Sequence, residues 1–258
     1  MLCKDIIEII ERTYPRQAAM EWDNVGLLVG RTDKEVNSVL VALDLTDEVL
    51  KEAVESKVDM IVTHHPLIFA PLKKITNEHF IGNRVVNLLQ HDISYYAMHT
   101  NYDVLGMAQL AGDLFGLNST EALDVTDAES QEGIGRIGDL EHTITLEACC
   151  KRVKESFALD AVKVFGDMKR EIKRVAISPG SGKSMLKAAL AKKADVLITG
   201  DIDHHEGIDA VAQGTAIIDA GHYGLEHIFI KDMTEYLRDN LSDVSVEKVA
   251  ITHPFQII

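Results

Sequence analysis

Cysteine is scarce in this chain: three residues in 258, Cys3, Cys149 and Cys150, the last two adjacent. An odd count without a Cys-x-x-Cys pair supplies neither a disulfide framework nor a thiolate metal knuckle, and fits a reducing compartment. Basic residues are in deficit, 26 Lys and Arg against 41 Asp and Glu, for a formal charge of −15. With no dense Lys/Arg stripe, such a chain is repelled by phosphate backbones, so nucleic acid is disfavoured as a partner. Long hydrophobic runs are missing too, none approaching the ~20 residues that span a bilayer. The opening MLCKDIIEIIERTYP reads as an amphipathic helix with Ile6, Ile9 and Ile10 on one face, and it lacks the apolar core of a signal peptide. A cytoplasmic protein without membrane contact is expected. With 46% apolar and 26% charged residues, disorder, collagen-like repetition and coiled coil are excluded.

What is present alternates between strand and helix signals, the pattern of an α/β protein. Ser38–Leu43 reads as a buried strand, followed by Thr46 as N-cap, Asp47 and Glu48 in the first helical turn, and Val49, Leu50, Ala53 and Val54 as the buried stripe. Met60–Val62 is the next strand and runs into Thr63-His64-His65-Pro66. Proline cannot donate to a ladder, so the strand should break there and present both histidines at its carboxyl edge, where parallel sheets bind ligands.

The second half repeats the plan. Arg174–Ile177 is a strand, Ser184–Lys193 a helix, and Val196–Thr199 a strand that leads into Gly200-Asp201-Ile202-Asp203-His204-His205. Val41 to Thr63 is 22 positions and Val175 to Thr199 is 24, a two-residue slip. Ile93–Met98 leads into His99-Thr-Asn-Tyr-Asp103, and Ala216–Gly221 into His222-Tyr-Gly-Leu-Glu226. If a helical turn follows each strand, His-x-x-x-acid brings imidazole and carboxylate to one side. This pattern implies two similar lobes, related by a pseudo-twofold and each a mixed sheet flanked by helices. The first spans 1–125 plus 227–258 and the second 126–226, with the Gly- and acid-rich residues Asp124–Gly138 marking the crossing.

The polar strand ends gather His64, His65, Asp103, His222 and Glu226. Imidazole and carboxylate are the donors that hold Zn, Fe, Mn or Ni as divalent ions. Two carboxylates against two such ions leave positive charge and open positions for water. One carboxylate spanning both would set them about 3.5–4 Å apart, the spacing of two-metal hydrolytic sites. Adjacent strand residues point to opposite faces, so His64 and His65 can both ligate only if the strand has already broken.

Trp22-Asp-Asn-Val-Gly-Leu, Thr63-His-His-Pro-Leu, His99-Thr-Asn-Tyr-Asp103, Thr199-Gly-Asp and Asp219-Ala-Gly-His-Tyr-x-x-Glu226, in this order along the chain, resemble the Nif-three-like proteins, also called the dinuclear metal centre family or GTP cyclohydrolase 1 type 2 homologues. The resemblance implies a two-lobed α/β fold with a pair of divalent transition-metal ions between the lobes, assembled as a toroidal homohexamer. Carried over motif by motif, the implied ligands are His64, His65, Asp103, His222 and Glu226, with His99 and His205 nearby to steady the ligands, touch substrate or shuttle protons. Longer members carry a central inserted domain, for which this chain leaves no room. The activity implied is metal-dependent hydrolysis of a nucleotide or another small anionic substrate. A metal-bearing scaffold or chaperone that binds a protein partner without turnover is the alternative.

Ser178-Pro-Gly-Ser-Gly-Lys-Ser184 invites a third reading, a P-loop nucleotide hydrolase. The motif needs glycine five positions before Gly182, where this chain has Ile177. Close helix–strand packing explains the glycines more simply. Trp22 is expected as a packing anchor, and Cys149 and Cys150 as core or flank of a helix over Leu146–Phe157.

Overall fold

The computed structural model describes residues 1–256 and 258. It divides into two compact units, Met1–Tyr102 with Phe229–Ile251 and Asp103–Ile228 with Thr252–Ile258. In the first unit come α1 (Cys3–Thr13), β1 (Gly26–Val29), β2 (Ser38–Ala42), α2 (Asp47–Glu55), β3 (Met60–Thr63), α3 (Phe80–Gln90), β4 (Ser94–Ala97) and α4 (Thr100–Tyr102). The second opens on a π turn, Asp103–Met107, and continues through α5 (Ala108–Phe115), β5 (Asn118–Val125), β6 (Gly133–Thr145), α6 (Leu146–Ser156) and β7 (Lys163–Phe165). It then adds β8 (Glu171–Ser181), α7 (Leu186–Ala191), β9 (Val196–Gly200), α8 (His204–Ala212), β10 (Ala216–Asp219) and α9 (His222–Glu226). Helix α10 (Ile228–Asn240) and β11 (Ser245–Lys248) return the chain to the first unit. No helix among the described residues is long and apolar enough to cross a membrane.

Local chemistry accounts for the elements. On α1, Cys3, Ile6 and Ile10 recur on one face and are buried, while the Asp5 carboxylate accepts the Leu2 N–H at 3.0 Å to close the first turn. Tyr236 of α10 donates its hydroxyl to the Ile9 carbonyl at 2.8 Å, pinning the two helices together. Thr46 caps α2 as expected, its hydroxyl accepting from Val49 N at 3.2 Å. Leu50 and Ala53 are fully buried, and Val49 and Val54 only half so.

Each unit is built on a mixed sheet. The first has the order β1-β4-β3-β2-β11, all parallel except the edge strand β1. The second has the order β5-β6-β8-β9-β10-β7, in which β8, β9 and β10 are parallel and the rest antiparallel. Strands covered on both faces read as continuous apolar runs, and Val175–Ile177 and Val196–Ile198 are all fully buried. Leu123, Ile137, Ala176, Leu197 and Ile217 pack with Ala189 and Ala210 into one cluster of the second core.

The internal repeat is tighter than the sequence spacing suggested. Val39 lies opposite Met60 and Met60 opposite Ser94, just as Val175 lies opposite Val196 and Val196 opposite Ala216. Counted from these partners, Val39–Thr63 and Val175–Thr199 are both 24 positions long, and the slip vanishes. The same register pairs Ala97 with Thr63 and Asp219 with Thr199. His99 therefore stands two residues beyond its strand pair and His222 three, so the two His-x-x-x-acid segments are not equivalent positions.

A matching aspartate precedes the middle strand in each sheet. Asp59 accepts from Asn37 N and Ser38 N at 2.9 and 3.2 Å, and Asp195 from Lys173 N and Arg174 N at 2.9 and 2.8 Å. Each carboxylate ties down two consecutive backbone amides, at the start of β2 and within β8.

Asp124–Gly138, expected as a crossing, lies within the β5–β6 hairpin, where Asp124 opposes Ile134 and Val125 opposes Gly133. A Cβ on Gly133 would stand 1.9 Å from the Asp124 carbonyl, so the glycine there serves close strand approach. The chain instead enters the second unit at Asp103, because Ala108, Ala111 and Phe115 of the next helix are buried there. Cys149 and Cys150 are buried on α6 as expected, and burial pushes the Cys149 thiol up to about 12.

Candidate functional site

Strand β3 ends at Thr63, and a knot of hydrogen bonds fixes the turn through His65 and Leu67. The Thr63 and Tyr95 hydroxyls both donate to the His65 carbonyl at 2.8 Å, and the Tyr95 hydroxyl accepts from Leu67 N at 2.9 Å. The carbonyl before Pro66 is thereby satisfied in a turn that has left the pleat. This is why neighbouring histidines can serve the same place: the His64 and His65 rings are 4.8 Å apart. His64 is wholly buried, against Phe229 at 5.4 Å and Tyr102 at 6.1 Å between ring centroids.

His65 Nδ1 meets Asp44 Oδ1 at 2.8 Å, and His99 Nδ1 meets Asp23 Oδ1 at 2.8 Å. An ionised carboxylate only accepts, so each pair puts the imidazole proton on Nδ1 and the lone pair on Nε2. Asp23 also accepts from Thr100 N at 3.0 Å and the Thr100 hydroxyl at 2.6 Å, with its side chain fully shielded from solvent. Burial works to raise the Asp23 carboxyl, but the hydrogen bonds from His99 and Thr100 outweigh it and hold the pKa at about 2. One donor atom from each of His64, His65 and His99 lies within 4.8 Å of the others. Three imidazole nitrogens at that spacing could hold a metal ion.

In the second unit His222 opens α9 and Glu226 follows one turn later, the i, i+4 relation expected, with Nε2 and Oε2 2.9 Å apart. His222 Nδ1 meets Asp201 Oδ2 at 2.8 Å. Gly180 makes room: at φ +80° its absent Cβ would stand 2.6 Å from Glu226 Oε1. The buried carboxylate of Asp219 frames the loop, accepting from Ile202 N at 3.1 Å and Gly221 N at 3.0 Å and pairing with Lys163 Nζ at 2.7 Å. Asp103 is half-buried at the start of the π turn, an irregularity common at functional positions.

Other expectations fall differently. His205 is exposed on the first turn of α8, its ring 5.1 Å from that of His204, and no group of potential ligands among the described residues includes it. Ser178–Ser181 continue β8, leaving only a short turn at 182–185 before α7. Gly182 N donates to Gly200 O at 2.9 Å, and Lys183 pairs with Glu206 at 2.6 Å. A strand end tied to its neighbour, with its lysine held by an acid, is no phosphate cradle. Trp22 is not a packing anchor: it is 64% exposed and meets the His99 ring edge-on at 6.0 Å.

The three orienting acids, Asp23, Asp44 and Asp201, were missed in the sequence. Asp44 and Asp201 had a readable signal, since each is an acid just beyond the carboxyl end of a parallel strand beside a histidine-bearing strand end. Asp23 stands inside the Trp22-Asp-Asn motif, but its pairing with His99 had no local signal, because the two are 76 positions apart.

Residues 1–254 match the family model described as Duf34/NIF3 (NGG1p interacting factor 3). A Clostridium perfringens protein named GTP cyclohydrolase 1 type 2 homolog is 35% identical over 263 aligned positions, covering 100% of both chains. A Lactococcus lactis protein of the same name is 37% identical over 99% of each. A Halalkalibacterium halodurans relative aligns over 365 positions at 27% identity, more than the length of this chain, so it carries inserted sequence. Among solved structures, a Staphylococcus aureus hypothetical protein is 30% identical with a TM-score of 0.89, covering 100% of this chain and 99% of its own. A Bacillus cereus protein related to NIF3 has a TM-score of 0.91 at 26% identity with the same coverage. Matched along almost all of its length in sequence and in fold, the chain belongs to the Duf34/NIF3 family.

Proposed function

We propose that this chain is a metal-dependent hydrolase that holds two divalent transition-metal ions through His64, His65, Asp103, His222 and Glu226. The observation that supports it most directly is the repeated pairing of a ligand imidazole Nδ1 with an aspartate, in Asp44–His65 and Asp201–His222, each at 2.8 Å. Metal-ligating histidines nearly always give their second ring N–H to such a partner, which sets the tautomer and raises ligand basicity. Mixed imidazole and carboxylate suits Zn, Fe, Mn or Ni. Bound there, such ions lower the pKa of water and polarise a carbonyl or phosphoryl oxygen.

The chain's own residues supply the rest. Asp44 and Asp201 orient His65 and His222, Glu226 adds negative charge from a buried position, and Gly180 keeps that carboxylate where it is. His99, with Nδ1 committed to Asp23, keeps Nε2 for exchanging a proton with substrate. The name shared by the relatives directs the substrate screen to purine nucleotides, and phosphoesters and amides call on the same donors. A homohexamer and a cytoplasmic location belong to the same proposal, by family resemblance.

The test is elemental analysis of the native protein and of the His65→Ala and His222→Ala variants, with an activity screen over nucleotides and phosphoesters in the presence and absence of chelator. Two ions per chain, lost in the variants, and chelator-sensitive turnover support the reading. A metal-free native protein whose Asp103→Ala and Glu226→Ala variants take up added ion unchanged overturns it, and bound metal without any turnover turns it into the scaffold. Size-exclusion chromatography reads the assembly.

A further inference from the structure

Two large aromatic side chains of the first unit stand in solvent beside one imidazole. Trp22 is 64% exposed and Phe69 57%. Both rings meet that of His99 edge-on, at centroid distances of 6.0 and 5.7 Å and interplanar angles of 77° and 85°. Single exposed apolar residues are ordinary. Two aromatics from separate loops converging on one ring are not, because each forgoes most of the burial that rewards a large ring in a core.

The loops that carry them are hydrogen-bonded in place. Asp23 N donates to Met20 O at 2.9 Å, Met20 N donates to the Thr100 hydroxyl at 2.8 Å, and the Asp23 carboxylate is bound to His99 and Thr100. Asn24 then crosses to the other loop, its Nδ2 donating to Ile68 O at 2.6 Å, the residue before Phe69. The two rings are thus presented on a scaffold already ordered, so little further ordering opposes a ligand that settles on them.

We propose that Trp22 and Phe69 form a stacking subsite for the planar heteroaromatic ring of a ligand, with His99 at its polar edge. A heterocycle offers π-faces to indole and phenyl and ring nitrogens and oxygens to an imidazole, a combination that a sugar, a bare phosphate or an aliphatic chain lacks. The subsite deepens the hydrolase reading by naming a substrate class. It rests on that reading only for the fate of the bound ligand.

Trp22 is the single tryptophan of the chain, so its emission reports on this subsite directly. The full chain, chelator-treated in one series and zinc-loaded in another, is titrated with guanosine monophosphate, adenosine monophosphate and, as the control without a base, ribose phosphate. Saturable quenching by the nucleotides is expected, with affinity about tenfold lower in Phe69→Ala, the loss of one stacked ring, restored in Phe69→Tyr and absent with ribose phosphate. Phe69 is exposed, so its truncation leaves the fold intact, which circular dichroism checks. Four results overturn the subsite: equal quenching by ribose phosphate, unchanged affinity in Phe69→Ala, no response to either nucleotide, or shielding of Trp22 that follows protein concentration alone. Quenching that persists in a chain unable to bind metal leaves the subsite standing while the hydrolase reading falls. Bound metal with a silent Trp22 does the reverse.

Discussion

Replacing Asp23 by asparagine tests the site where its energetics are most exposed. One carboxylate oxygen accepts from His99 Nδ1 and the other from the Thr100 amide and hydroxyl. An amide cannot do both. With its NH2 toward Thr100 it faces an N–H donor, and turned over its NH2 faces His99 Nδ1, which can accept only by moving the ring proton to Nε2, so the amide either strands a donor or reverses the tautomer. The drop of the Asp23 pKa from 3.8 to about 2 corresponds to about 2 kcal/mol of folding free energy. Because the folded value is the lower one, this stability is fully present above 3.8 and is lost as pH falls through about 2. Asp23→Asn should therefore trail the native chain by about 2 kcal/mol near neutrality, and the gap should close toward the small difference between acid and amide near pH 2. Urea unfolding followed by circular dichroism reads it: with a slope of about 2–3 kcal/mol/M, the midpoint moves by roughly 1 M near neutrality. A gap of the same size at both ends of the pH range, or a variant as stable as the native chain, refutes the assignment of Asp23 as a buried anion locking His99.

Gly180→Ala should cost about 1–2 kcal/mol for its left-handed backbone and also lower metal content by displacing Glu226, whereas Gly214→Ala, at φ +100° with nothing within 4 Å of the added Cβ, should leave metal content unchanged; thermal melts and elemental analysis separate the two. Leu197→Ala removes a fully buried side chain from the second core and should cost about 2–5 kcal/mol, read from denaturant unfolding. Asp59→Ala and Asp195→Ala each take the acceptor from two partly exposed backbone amides and should cost about 1 kcal/mol apiece. Burial raises the Asp59 carboxyl, but the Asn37 amide and Lys34 outweigh it and hold it below 3.8, so its contribution is present above that pH and fades on acidification; a loss in Asp59→Ala that is the same at neutral and strongly acid pH overturns this.

The parallel strands and their capped helices were legible because they rest on local signals. Apolar runs such as Met60–Val62 bounded by Thr-His-His-Pro, or Thr46 with two acids behind it, mean the same thing wherever they occur. The hairpin at Asp124–Gly138 was not legible, since its Gly and acid content looks like a linker, and only the approach of Gly133 to the Asp124 carbonyl shows what the glycine is for. The extent of β8 was missed for a related reason. Ser178-Pro-Gly-Ser carries every mark of a loop, yet Gly180 at φ +80° bends the strand without ending it. Of the candidate ligands, His222 and Glu226 follow from helical spacing, whereas the orientation of His65 and His99 depends on acids 21 and 76 positions away. Trp22 was misjudged because a lone tryptophan is worth burying. Its exposure makes sense only with Asn24 tying its loop to that of Phe69.

The repeat and the chemistry belong together. In a parallel sheet every strand delivers its next residues to the same edge, so an acid after one strand and a histidine after its neighbour meet without any special design. In the first unit β2 delivers Asp44 and β3 delivers His65; in the second β9 delivers Asp201 and β10 delivers His222. Both pairs are 21 positions apart and closed at 2.8 Å, but they use different strand pairs of the common plan. The two contacts therefore occupy non-equivalent places in the common plan, and the shared carboxyl edge of parallel strands is the physical reason that each unit can close one.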